Sequence, residues 1–180
     1  MSETAPILPS AQFERDEQLP DTLPQDPFPT IQAWMDEAFE RKASRNPNAM
    51  TIATVDESGR PSARVVLCKG IDVNGGWIVF YTNRNSRKGR ELDATRRAAC
   101  VLHWDAFERQ VRIEGPVIPS PEAESDAYFN SRHPASRIGA WASNQSAPLE
   151  SRDDLMGRIM EVMGELGVNL DDDNPEIPRP

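Results

Sequence analysis

The sequence predicts a mainly β domain with flanking helices, an antiparallel barrel or sandwich of the α+β class. Three observations carry this reading. Strand-like segments crowd residues 49–118, with turn residues between them. Only one short helical segment interrupts that run. Before and after it, the apolar spacing is helical. At 180 residues the chain fits one domain large enough to bury a core.

Taken in order, residues 1–29 are rich in Pro, Asp and Glu and read as a flexible arm. "TIQAWMDEAFERKASRN" (Thr30–Asn46) is an amphipathic helix, with Ile31, Trp34, Met35, Ala38 and Phe39 at helical spacing and Thr30 as N-cap. "AMTIATVDESGRPSARVVLCKGID" reads as two strands around a Ser58-Gly59 turn. "GGWIVFYTN" is a third, rich in aromatic and β-branched residues. "SRKGRELDAT" is a short helix capped by Ser86, and "AACVLHWD" and "RQVRIEGPVI" are two further strands. "SPEAESDAYFNSR" is a helix with Ser120 as cap and Pro121 in first position. After the loop "HPASRIGAWASNQSAPL", rich in small polar residues and charged only at Arg137, comes "SRDDLMGRIMEVMGELG", a helix capped by Ser151 and ended by Gly167. The domain therefore spans 30–167, followed by an acidic, proline-rich tail at 168–180.

Composition excludes several classes. No apolar run approaches the ~20 residues of a membrane helix, and the N-terminus lacks the basic and apolar regions of a secretory signal. Cys68 and Cys100 lie in apolar segments and read as buried free thiols of a reducing, cytoplasmic setting. His103 and His133 are too isolated to suggest a metal. The net charge is −9, yet residues 60–115 hold 11 Lys+Arg against 6 Asp+Glu, while the rest holds 9 against 23. A basic middle between acidic flanks suits a small phosphorylated ligand better than a nucleic acid, which rewards broad positive fields.

The cations concentrate in "YTNRNSRKGRE". A strand ending at Tyr81-Thr82 and a helix opening with Ser86-Arg87-Lys88 would present free amides and full charges to an anion. A solvated basic turn accounts for the same residues. Arg64 and Lys69 tip the balance towards one shared anion, because charges inside the apolar strand "RVVLCK" are costly unless matched. Gln110 could face a polar ring edge or solvent. Tyr128 and Arg132, at i and i+4 with Ser136 beyond, could bind a second phosphate or form a surface pair.

"RVVLCKG", "FYTNRNSRKGREL", "ERQVRIEG" and "SDAYFNSRHPASRIGAWASNQS" together resemble the pyridoxamine 5′-phosphate oxidase family, from about Leu23 to Gly167. The resemblance implies an FMN-binding split β-barrel and a homodimer with FMN at the subunit interface. It implies oxidation of pyridoxine or pyridoxamine 5′-phosphate to pyridoxal 5′-phosphate, with O2 as acceptor. It assigns Arg64, Val65, Val66, Leu67, Cys68 and Lys69 to FMN, Lys69 also lying near substrate phosphate. Tyr81, Thr82, Arg87 and Lys88 would hold the flavin's phosphate end, Gln110 the ring edge, and Gln145 and Ser146 would come from the partner subunit. Tyr128, Arg132 and Ser136 would bind the vitamin B6 phosphate.

The sequence departs from the family pattern in places. The pattern continues past the equivalent of "PRP" with further strands, a Trp and an Arg at FMN, and an Arg-x-His motif at the substrate. None has a counterpart here, so no catalytic residue is assigned and impaired turnover is expected. The basic Arg-Arg-x-Tyr stretch of some members is also absent, and Cys68 and Arg137 replace the usual Leu and Gln. Two other functions fit: a related split-barrel oxidase of another reduced ring compound, as in phenazine pathways, or a non-catalytic FMN-binding remnant.

Overall fold

The computed structural model describes residues 19–169 and 175–180, so most of the predicted arm lies outside the described residues. Helix α1 (Phe28–Glu40) starts earlier than a Thr30 cap predicts. Pro27 takes the N-cap position, Asp26 Oδ1 accepts from the Phe28 amide at 2.9 Å, and Pro29 fits the first turn, where no amide proton is needed. Ile31, Met35 and Ala38 form its buried stripe.

Strands β1 (Ala49–Val55) and β2 (Pro61–Leu67) make the predicted hairpin, in register from Ala49 opposite Leu67 to Val55 opposite Pro61. Gly59 supplies the left-handed turn residue, with φ +84°. The Ser58 hydroxyl and the Arg60 amide bind the Asp56 carboxylate and hold its pKa far below the usual range. Beyond Leu67 the chain changes sheets. The Cys68 amide still donates to Asn48 O at 2.9 Å, but the Lys69 amide donates to Val79 O at 2.7 Å. Strand β3 (Gly70–Asp72) then pairs with β4 (Trp77–Val79) as a separate two-stranded ribbon. The sequence predicted one strand running to Asp72 and another to Asn83. Pairing partners, rather than composition, set where each ladder ends.

Helix α2 (Arg87–Thr95) packs against β1, with Ser86 as its N-cap as predicted. Strands β5 (Arg97–Trp104) and β6 (Arg109–Pro116) complete an antiparallel sheet of order β2-β1-β5-β6. Helix α3 (Glu122–Asn130) begins one residue later than predicted: Pro121 is the N-cap, and Glu122 and Glu124 complement the positive helix end. Helix α4 (Pro134–Ala142) occupies what the sequence predicted as loop. Pro134 opens it, and the His133 ring accepts the Ala135 amide at 3.2 Å. Helix α5 (Arg152–Leu166) has the predicted ends: Ser151 Oγ accepts the Asp154 amide at 3.0 Å, and Gly167 has φ +62°.

Among the described residues the fold has two apolar clusters. One joins α1 to the sheet through Met35, Ala38, Met50, Leu102 and Trp104. The other joins α3, α4 and α5 through Phe129 and Ile138, and Ile177 completes it. The end of the chain is thus docked rather than loose. Trp141 Nε1 donates to Pro178 O at 2.8 Å, and Arg179 pairs with Glu122 and Asp126. Cys68 is buried and Cys100 half-buried, both free thiols whose pKa burial pushes up. No helix among the described residues is long and apolar enough to cross a membrane.

Candidate functional site

The change of sheets at Cys68-Lys69 opens a cleft between β2, the β3–β4 ribbon, the start of α2 and the α3–α4 pair. Its volume is about 1120 Å³, above the roughly 300–1,000 Å³ of a single small-ligand pocket.

One end of the cleft is built on the start of α2. Ser86 is fully buried: its hydroxyl donates to Asn83 O at 2.6 Å and accepts the Gly89 amide at 3.2 Å, fixing the helix N-terminus. Lys88, 8 % exposed, follows in the first turn. Its Nζ meets Gln145 Oε1 at 2.7 Å and Ser86 Oγ at 3.3 Å, both neutral. Burial pushes this ammonium below the usual lysine range, and the Arg64 charge adds to the effect. A buried cation with neutral partners, beside a second cation and a helix N-terminus, is an arrangement whose chemistry suits an anion.

Behind Lys88 lies Glu91, 5 % exposed. Thr54 Oγ1 and Ser62 Oγ donate to its Oε2 at 2.5 and 2.7 Å, and Arg87 Nε donates to Oε1 at 2.7 Å. The same two hydroxyls accept from Arg64, each at 2.5 Å, and Arg64 Nη2 stands 3.4 Å from Glu91. Burial would raise the Glu91 carboxyl, but the bonds from Thr54, Ser62 and Arg87 outweigh it and hold the pKa at about 2.

The other end is aromatic and cationic. The Tyr81 and Tyr128 rings stack at 4.0 Å between centroids, 8° from parallel, and Lys69 Nζ lies 5.6 Å from the Tyr128 ring. Arg132 at the end of α3 and Ser136 on α4 border this end, as does Arg179. The tyrosine stack therefore ties the cofactor candidates to the substrate candidates.

Arg64, Val65, Val66, Leu67, Lys69, Tyr81, Thr82, Lys88, Gln145, Tyr128, Arg132 and Ser136 all line this one cleft. Four predicted residues are not brought to it within the single chain. Cys68 turns into the core. Arg87 is half exposed and bound to Glu91. Gln110 is exposed on β6 opposite His103, because alternation along that strand turns Gln110 outward. Ser146 lies in an exposed turn with φ +72°. Gln145, which the resemblance assigned to a partner's site, reaches Lys88 of its own chain. The sequence reading missed Glu91, Thr54, Ser62 and Arg179. Arg87 and Glu91 at i, i+4 were a visible signal, as was Thr54 in the inward row with Met50 and Ile52.

Residues 35–163 match the family described as pyridoxamine 5′-phosphate oxidase. A pyridoxine/pyridoxamine 5′-phosphate oxidase of Paraburkholderia phytofirmans is 49% identical over 158 residues, covering 88% of this chain and 70% of the relative. A Burkholderia thailandensis protein of the same name is 52% identical over 143 residues, covering 79% and 65%. The chain thus spans about two-thirds of the length of these relatives. Among solved structures, PhzG from Burkholderia lata 383, in complex with tetrahydrophenazine-1-carboxylic acid, superposes with a TM-score of 0.79. It is 32% identical, and the match covers 92% of this chain and 77% of that one. A pyridoxamine 5′-phosphate oxidase-related, FMN-binding protein of Nostoc punctiforme shares the fold, with a TM-score of 0.59, 14% identity and coverage of 87% and 79%. The antiparallel sheets with flanking helices are those of the split-barrel class the sequence predicted. By matched length, identity and fold, this chain belongs to the pyridoxamine 5′-phosphate oxidase family.

Proposed function

We propose that this chain is an FMN-dependent oxidase of pyridoxine and pyridoxamine 5′-phosphate, forming pyridoxal 5′-phosphate. The observation that carries the reading is Lys88, a buried ammonium with neutral partners at a helix N-terminus, beside Arg64. The FMN phosphate is the kind of anion such a site requires. Bound there, FMN would accept a hydride from the substrate and pass the electrons to O2. The chain's own residues bind and orient. Arg64, Lys88, Thr82 and Gln145 hold the cofactor end, and Lys69, Tyr128, Arg132 and Ser136 hold the substrate phosphate. The stacked Tyr81 and Tyr128 join the two ends of the cleft.

Two further parts of the reading have their own support. A homodimer fits the exposed β2 edge, where Val65 is 66 % exposed on the wall of the cleft. Two free cysteines fit a reducing, cytoplasmic setting. A second reading, oxidation of another reduced ring acid, is favoured by the likeness to PhzG.

The test is a visible spectrum of the purified protein with added FMN, followed by anaerobic addition of pyridoxine 5′-phosphate. A bound-flavin spectrum that bleaches supports the proposal. Bleaching only with a reduced phenazine carboxylate such as tetrahydrophenazine-1-carboxylic acid selects the second reading. Bound flavin that neither compound reduces makes the chain a binding protein.

A further inference from the structure

A buried carboxylate beside a cluster of cations opposes a bound anion by Coulomb's law unless its own charge is spent on its neighbours. Glu91 is that carboxylate, and its surroundings describe a relay. Arg64 donates to the Thr54 and Ser62 hydroxyls, and both hydroxyls donate onward to Glu91 Oε2. A hydroxyl rotor follows its strongest acceptor. The carboxylate therefore turns both hydroxyl lone pairs towards Arg64 and fixes the guanidinium that lines the cleft. Its other oxygen holds Arg87. Lys88, between these residues in sequence, has no share in Glu91 and meets Gln145 instead. The cations are thus sorted: Arg64 and Arg87 are anchored from behind, and the Lys88 ammonium meets neutral partners among the described residues.

Resting on the FMN reading above, we infer that Glu91 is a positioning residue for phosphate recognition, which aims Arg64 through Thr54 and Ser62 and keeps the carboxylate away from Lys88. The claim has an unusual sign. A carboxylate that acted only through its charge would oppose phosphate, and neutralising it would tighten FMN binding. Positioning predicts the reverse. Glu91→Gln keeps the shape but offers one acceptor oxygen and one donor amide, so either Arg87 or the hydroxyl pair faces a donor.

The experiment measures FMN and riboflavin affinities by flavin fluorescence for the wild-type chain, Glu91→Gln and Glu91→Asp, with a thermal melt of each. Riboflavin lacks the phosphate, so the ratio of the two affinities reports phosphate recognition alone. Wild type should favour FMN. Glu91→Gln should cut that preference about tenfold, the size of one misaligned charge-assisted hydrogen bond, with riboflavin affinity unchanged. A preference that stays the same or grows overturns the inference and leaves the FMN reading intact. Equal weakening of both flavins makes Glu91 a structural staple between α2 and β1, which also overturns it. A wild-type chain indifferent to the phosphate removes the FMN reading and the inference together. If the glutamine variant does not fold, Glu91→Asp decides: charge kept and reach shortened should give the same selective loss, and equal or no loss refutes it.

Discussion

Replacing Lys88 with Met should make the cofactor-free protein more stable and the cofactor site worse. The two effects have one cause. In the free chain the Lys88 ammonium is 8 % exposed, with an amide oxygen and a hydroxyl as its partners. Burial, then Arg64, lowers its folded pKa below the unfolded value of 10.5. The unfolded chain therefore holds this proton more tightly. The group's destabilising effect is fully present at neutral pH and fades as pH rises towards 10.5. Met fills similar space without the charge. Removing a poorly matched buried polar group is worth about 1 kcal/mol here, or about 2–4 °C in Tm for a domain of this size. The phosphate loses its best-desolvated cation, and a charge-assisted hydrogen bond of about 1.5–3 kcal/mol corresponds to roughly 10–150-fold in FMN affinity. The assay pairs a melt of the FMN-free protein with titrations of FMN and riboflavin. A lower Tm with equal loss of both flavins would refute the reasoning, because Lys88 would then be holding the fold rather than awaiting a phosphate.

Three further outcomes follow from the geometry. Arg132→Ala should leave FMN retention unchanged and raise KM for pyridoxine 5′-phosphate by about tenfold or more; a parallel loss of FMN would merge the two ends of the cleft into one site. Ile177→Ala, at a residue 1 % exposed against Phe129 and Ile138, should cost about 2–5 kcal/mol in denaturant unfolding. An unchanged midpoint would mean residues 175–180 are not docked in solution. Arg109→Gln removes the partner of Glu37, whose pKa the Arg109 bond lowers most and the Arg41 bond next. That pair contributes stability above the ordinary glutamate value of 4.5 and loses it as pH falls through the lowered pKa. The variant should be weaker by about 1 kcal/mol at neutral pH, with the deficit narrowing in acid; a deficit constant with pH would place its cause in the lost packing of Arg109 on Trp34 and Phe107.

Local chemistry by itself determined much of this protein. The β1–β2 hairpin needs only its alternating residues, Asp56 and Gly59. The caps at Ser86 and Ser151 need only a hydroxyl three residues before a free amide. The convergence of Arg64, Lys69 and Lys88 on one cleft was legible because charges inside an apolar strand are costly unless matched, which singles out Arg64 and Lys69. Other features were decided by residues far apart in sequence. The register of β3 with β4 breaks the predicted strand at Cys68-Lys69 and opens the cleft. Helix α4 has ordinary local signals, and it folds because Ile138 packs in the cluster with Phe129 and Ile177. Lys88 and Gln145 are 57 positions apart, and Thr54 and Glu91 are 37 apart. Which cation is paired with a carboxylate and which meets neutral groups depends on those distant partners. A short segment encodes its turn or cap through its own backbone, but the balance of a buried charge is set by whatever the fold packs around it, and only tertiary structure brings those groups together.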